Sequence, residues 1–136
     1  MKISERQNSL VEDLLFLPTP QERLAALGHY AEPLRIYDLS SFNAEEQVQG
    51  CQSVVYVRGV KGENGIEFQY GTDSVMVGHL VGILCYVYSG SSVREVTDVE
   101  PDFWEQSGLN KVISQTRQLG LVQALKQMRA MALQLQ

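Results

Sequence analysis

The chain has 136 residues, 44% apolar and 20% charged, with 11 basic against 16 acidic side chains and a formal net charge of −5. That balance is ordinary for one folded domain spanning 1–136 and argues against a disordered chain. With no long basic cluster the surface is unsuited to tracking phosphates, so nucleic acid is not an expected partner.

In chain order, the opening "MKISERQNSLVED" is charged and polar with no apolar signal region. A secretory leader is therefore not expected, and a cytoplasmic location is. Ser4 with Gln7 reads as a capping box opening a first helix whose apolar face is Leu10, Val11, Leu14 and Leu15. "LPTP" ends it, and Thr19-Pro20-Gln21-Glu22 gives an N-cap, a proline at the first helical position and a Glu reaching back. Leu24, Leu27, Ala31 and Leu34 continue at helical spacing, with Pro33 close to the stop. Residues 35–50 carry no clear period.

"SVVYV" (53–57) is β-branched and aromatic, and "IEFQY" (66–70) alternates apolar with polar side chains. Both read as strands. Asn64-Gly65 between them suits the positive φ angles of a tight hairpin turn. Thr72 or Asp73 is then expected to cap a helix through about Tyr88, with Leu80, Val81, Leu84 and Tyr88 on one face. Its apolar run "VMVGHLVGILCYVY" is 14 residues long. A membrane span needs roughly 20, so it reads as a buried helix, and no membrane is expected as a partner. Short helices are expected near 91–97 and 101–107, the second opened by Pro101. A last helix from about Thr116 carries Leu121, Leu125, Met128, Ala132 and Leu135 as one stripe facing a core. The expected class is α+β, a small antiparallel sheet with helices packed against it.

Two cysteines stand far apart, which suits free thiols in a reducing compartment better than a structural disulfide. Cys85, four residues after Val81 in the apolar helix, reads as a small core hydrophobe. Cys51 lies between Gly50 and Gln52-Ser53 at the entry to the first strand. Packing, metal ligation and chemistry are all open to it. A zinc or iron–sulfur site wants about three or four ligands, and His29, His79 and the two cysteines show no ligand spacing. Asp73 reads as a helix cap or an exposed carboxylate, and Arg117 as a solvated residue set against the dipole of the last helix.

"VQGCQSVVYV" resembles the cysteine-bearing signature of the SufE family. "YGTDSVMVGHLVGIL" is similar to that family's Gly-x-Ser/Thr-Asp segment opening an apolar helix, and "PDFWEQSGLN" followed by "ISQTRQLGL" resembles its Arg-x-x-Gly-Leu ending. The three blocks keep order and spacing over roughly residues 10–130. Gln115 replaces a family proline, Tyr56 stands where a Trp is frequent, and Val112 where a His is common.

The resemblance implies a SufE/IscU-like fold and a sulfur carrier without independent turnover or a resident cofactor. Its implied donor is a SufS-type cysteine desulfurase, which itself uses pyridoxal phosphate, and its implied downstream acceptor is an iron–sulfur scaffold complex. Cys51 would hold sulfur as a persulfide. Gly50, Gln52 and Ser53 would form its loop, Asp73 would lie near the partner surface, and Arg117 matches the family arginine. An IscU-like iron–sulfur scaffold and a non-catalytic partner-binding adaptor are the alternatives.

Overall fold

The computed structural model describes residues 2–136. Helices α1 (Ile3–Leu15) and α2 (Pro20–Ala31) lead through short 3-10 turns into strands β1 (Val55–Gly62) and β2 (Gly65–Thr72). Helix α3 (Val75–Tyr88) follows, then α4 (Val93–Asp98), α5 (Phe103–Gln106) and the long α6 (Gln115–Gln134). The molecule is mostly helical with one two-stranded antiparallel sheet, as the α+β reading expects. β1 and β2 pair from Val55↔Thr72 to Gly62↔Gly65, so alternate residues Val55 and Val57 on β1 and Ile66, Phe68 and Tyr70 on β2 are buried.

The reason for this arrangement is α3. Nine of its fourteen residues are buried, including Leu80, Ile83, Leu84, Val87 and Tyr88. A helix this apolar must be covered on more than one side. α2 covers one flank, the sheet another, and α1 and α6 complete the enclosure. Each such Leu, Ile or Val taken fully out of water contributes roughly 1.5–3 kcal/mol before conformational entropy is set against it. Close approach of α2 and α3 depends on Gly82, whose bare Cα faces the Ala31 methyl and the Tyr70 ring.

Several boundaries differ from expectation. α1 starts at Ile3, not Ser4, and its first turn is closed by the Lys2 amide donating to Glu5 Oε1 at 3.1 Å. Gln7 is no cap: it is buried, donating to the Glu100 carbonyl and accepting from the Phe103 amide. Those long-range bonds outweigh a local box. Leu15, expected on the inner face, is half exposed because the chain turns away at Phe16. Thr19 caps α2 as expected, accepting from the Glu22 amide at 3.2 Å.

The hairpin forms, but its turn residues are Glu63 and Asn64, and only Gly65 takes positive φ, at 126°. α3 is capped by Ser74, which accepts from the Val77 amide at 3.3 Å, rather than by Thr72 or Asp73. Thr72 is drawn away because its hydroxyl donates to the Val54 carbonyl at 2.7 Å. α6 begins at Gln115 behind the Ser114 cap and buries Leu121, Leu125, Met128 and Ala132 as the stripe predicts.

Candidate functional site around Cys51

Cys51 sits at the tip of a loop whose two ends are fixed. At the base the Val48 amide donates to the Val55 carbonyl at 2.8 Å, and Gln47 bridges Tyr56 antiparallel. Thr72 holds the Val54 carbonyl, and Gln127 Nε2 on α6 donates to the Glu46 carbonyl at 2.8 Å. Arg58 pairs with the Glu46 carboxylate at 2.8 Å and reaches the Ser41 carbonyl, tying the approach segment to β1. The Arg58 guanidinium holds Glu46 below the usual carboxylate range.

The tip itself is loosely held. Gly50 is exposed and takes φ 83°, a left-handed conformation that glycine adopts without a Cβ penalty. Cys51 Sγ makes one polar contact, donating to the Gly120 carbonyl of α6 at 3.6 Å. Its neighbours in the loop, Gln52 and Ser53, do not make that bond.

Cys51, Gln52, Ser53 and Arg117 nonetheless line one small cavity of about 130 Å³. α3 supplies its apolar wall with Val77, Leu80 and Val81, and Leu121 closes the α6 side. The cap of α6, formed by Ser114 and the Arg117 amide at 3.3 Å, places residue 117 at this mouth, where it is exposed. So 117 and 51, 66 positions apart, meet at one opening. Asp73 lies exposed in the turn leading to α3 and is not part of the cavity lining.

Burial pushes the Cys51 thiol up, toward the neutral form. Alkylation of Cys51 in the folded chain is therefore expected to rise through a higher pH than in the denaturant-unfolded chain, where the ordinary thiol value of about 8.5 returns. Iodoacetamide rates against pH, mapped by peptide mass, check this. A folded midpoint at or below the unfolded one contradicts it.

Cys85 is fully buried in α3, and burial pushes its thiol up strongly, which suits a core role. His79 packs its ring against Gly28, and His29 is exposed with an edge-on contact to Tyr30. Among the described residues no three His, Cys, Asp or Glu side chains are grouped to hold a metal ion. No helix among them is long and apolar enough to cross a membrane.

The residues that sequence reasoning misses are on the helix faces. Val77, Leu80 and Val81 read only as core, and Gly120, though it falls in the Arg-x-x-Gly-Leu segment, is given no role of its own. A glycine in a helix interior, disfavoured against alanine by about 1 kcal/mol, is the available signal.

A family model described as "SufE: Fe-S metabolism associated domain" matches residues 8–132. The chain belongs to the SufE family. It is 32% identical over 118 residues to the SufE-like protein 1, chloroplastic/mitochondrial, of Arabidopsis thaliana. That match takes in 86% of this chain but 32% of the Arabidopsis protein, so the chain spans about a third of that relative's length. An uncharacterized SufE-like protein of Synechocystis is 28% identical over 86% of this chain and 74% of its own length. One from Rhizobium meliloti is 25% identical over 92% and 93%. A solution structure of a hypothetical protein from Thermus thermophilus superposes with a TM-score of 0.74 at 23% identity, covering 94% of this chain and 96% of that one. The fold is thus shared with that structure across nearly the full chain.

Proposed function

We propose that this SufE-family protein accepts sulfur from a SufS-type cysteine desulfurase and carries it as a persulfide on Cys51 toward an iron–sulfur scaffold complex, in the cytoplasm. One observation carries the reading: a single cysteine at a loop tip, clamped at its base, held by one weak contact in a small recess with an apolar wall from α3 that Arg117 also lines. Membership of a family described by Fe-S metabolism agrees with it.

In the transfer, the Cys51 thiolate attacks the outer sulfur of the donor's Cys–S–SH. The S–S bond of the donor breaks, a new one forms on Cys51, and the donor cysteine departs as a thiolate that takes up the proton Cys51 lost. No net oxidation occurs, and the exchange follows the rules of thiol–disulfide chemistry. The sulfur comes from the desulfurase's substrate cysteine, whose C–S bond that enzyme's pyridoxal phosphate would help to break, so this chain acts as carrier and activator rather than as an independent enzyme.

A neutral, recessed thiol is a poor nucleophile, so reaction requires the tip to leave its recess when the partner docks. Gly50 supplies the hinge, and Gln52 and Ser53 move with the sulfur. The helices lining the recess also present apolar side chains to solvent: Val75 is 64% exposed on α3, and Leu119 and Val122 are 60% and 61% exposed on α6. An apolar rim of this kind suits a protein partner. Asp73 borders it from the turn before α3 and belongs to the docking surface in this reading.

Among the described residues Arg117 carries the only charge lining the recess, and it is suited to stabilise an anionic persulfide there. Arg117→Ala is expected to slow sulfur acceptance while leaving the unfolding free energy within about 0.5 kcal/mol, as for other exposed positions. Single-turnover transfer and urea unfolding measured side by side check it, and an unchanged transfer rate removes Arg117 from the mechanism. The function itself is tested by intact mass after incubation with a SufS-type desulfurase and cysteine. A gain of one sulfur atom on Cys51 supports the carrier, an iron chromophore would mark a scaffold, and neither would mark an adaptor.

A further inference from the structure

The face of α6 toward the cysteine loop carries Gly120, Gln123 and Gln127, spaced three and four residues apart so that they share one side of the helix. The loop lies along them in order. Glu46 is held by Gln127, Gly50 lies where an added Cβ would come within 3.2 Å of Gln123 Cγ, and Cys51 Sγ rests on Gly120. At position 120 an added Cβ would have, beyond its chain neighbours and the adjoining backbone of α6, one heavy atom within 4 Å among the described residues, and that atom is Cys51 Sγ at 3.2 Å. A glycine inside a helix is less favourable than alanine, so its presence needs a reason. Here the surroundings contain a single candidate.

We infer that Gly120 is a positioning residue for Cys51, its bare Cα giving the sulfur a retracted seat and its carbonyl accepting the hydrogen bond from the thiol. The carbonyl accepts from S–H but has nothing to offer a thiolate or a persulfide anion. The seat therefore favours the neutral, unloaded sulfur and releases the charged one. Arg117 on α6 is the only charged group among the described residues lining the recess; α3 contributes Val77, Leu80 and Val81, and the loop Gln52 and Ser53. The meaning of this seat for transfer rests on the reading of Cys51 as sulfur acceptor, but the position of the sulfur does not.

The test is iodoacetamide modification of Cys51 in the free full chain, followed by peptide mass across neutral to alkaline pH, with urea unfolding in parallel. Gly120→Ala is expected to speed modification at neutral pH about threefold and Gly120→Leu, which fills the seat, about tenfold, each with a lower pH midpoint as the thiol reaches solvent. The urea midpoint of Gly120→Ala should hold or rise, and should rise further when Cys51→Ala removes the obstructing sulfur. An unchanged rate and pH midpoint in folded Gly120→Leu overturns the inference. So does a loss of folding in Gly120→Ala that Cys51→Ala does not relieve, because something besides the sulfur would then need the bare Cα. None of these measurements uses a desulfurase. A wild-type chain that takes no sulfur from one would remove the proposed function and leave this result standing.

Discussion

Cys51→Ser is expected to fold normally and to show no gain of sulfur when mixed with a SufS-type desulfurase and cysteine. The substitution exchanges one atom at a half-buried loop tip, and a serine hydroxyl can still donate to the Gly120 carbonyl that now receives the thiol. Stability should therefore move by no more than about 0.5 kcal/mol. Chemistry is a different matter. An alcohol in this recess, with no base within its lining, does not become the anion that attacks a persulfide. Transfer should fall to background, and stimulation of the desulfurase by a sulfur-accepting partner should go with it. Cys85 cannot substitute, being fully buried inside α3 with its thiol held neutral. A one-sulfur gain that persists in the Cys51→Ser variant would overturn the carrier assignment, and peptide mapping would show which residue took it.

Gly82→Ala is expected to cost about 3 kcal/mol, at the upper end of overpacking penalties, even though alanine improves on glycine in a helix by about 1 kcal/mol. The new methyl would lie 2.7 Å from Tyr70 Cε1 and against the Ala31 Cβ. Both neighbours are fully buried, one on the β2 strand and one on α2, so neither can yield without moving an element. The shift in urea midpoint at constant slope measures the effect. A variant as stable as the wild type would show that α2 and α3 are not packed at glycine distance. The contrast with Gly120→Ala is informative. The same chemical change in two helices should have opposite effects on stability, because one glycine faces the immobile core and the other faces a sulfur at a loop tip with a way out.

Much of this is legible along the chain. The Thr19 cap, the buried stripe of α6 and the alternation of Ile66, Phe68 and Tyr70 are local statements, fixed by hydrogen bonds or periodicities within a few residues. Where expectation fails, a distant group has a stronger claim on the same atom. Gln7 reads as a cap partner but is held by residues 100 and 103, and Thr72 reads as a cap but is held by Val54. No short window of residues contains those partners.

The same division separates the cysteine from its site. Neighbouring residues alone tell which thiol stands beside a glycine hinge at a strand entrance, which one is lost in an apolar helix, and the family to which the surrounding motifs point. They do not tell that Cys51 rests against Gly120, 69 residues away, and shares its opening with Arg117. Burial and contact are properties of packed elements, and the packing of α6 on the cysteine loop is set by the whole core rather than by either segment.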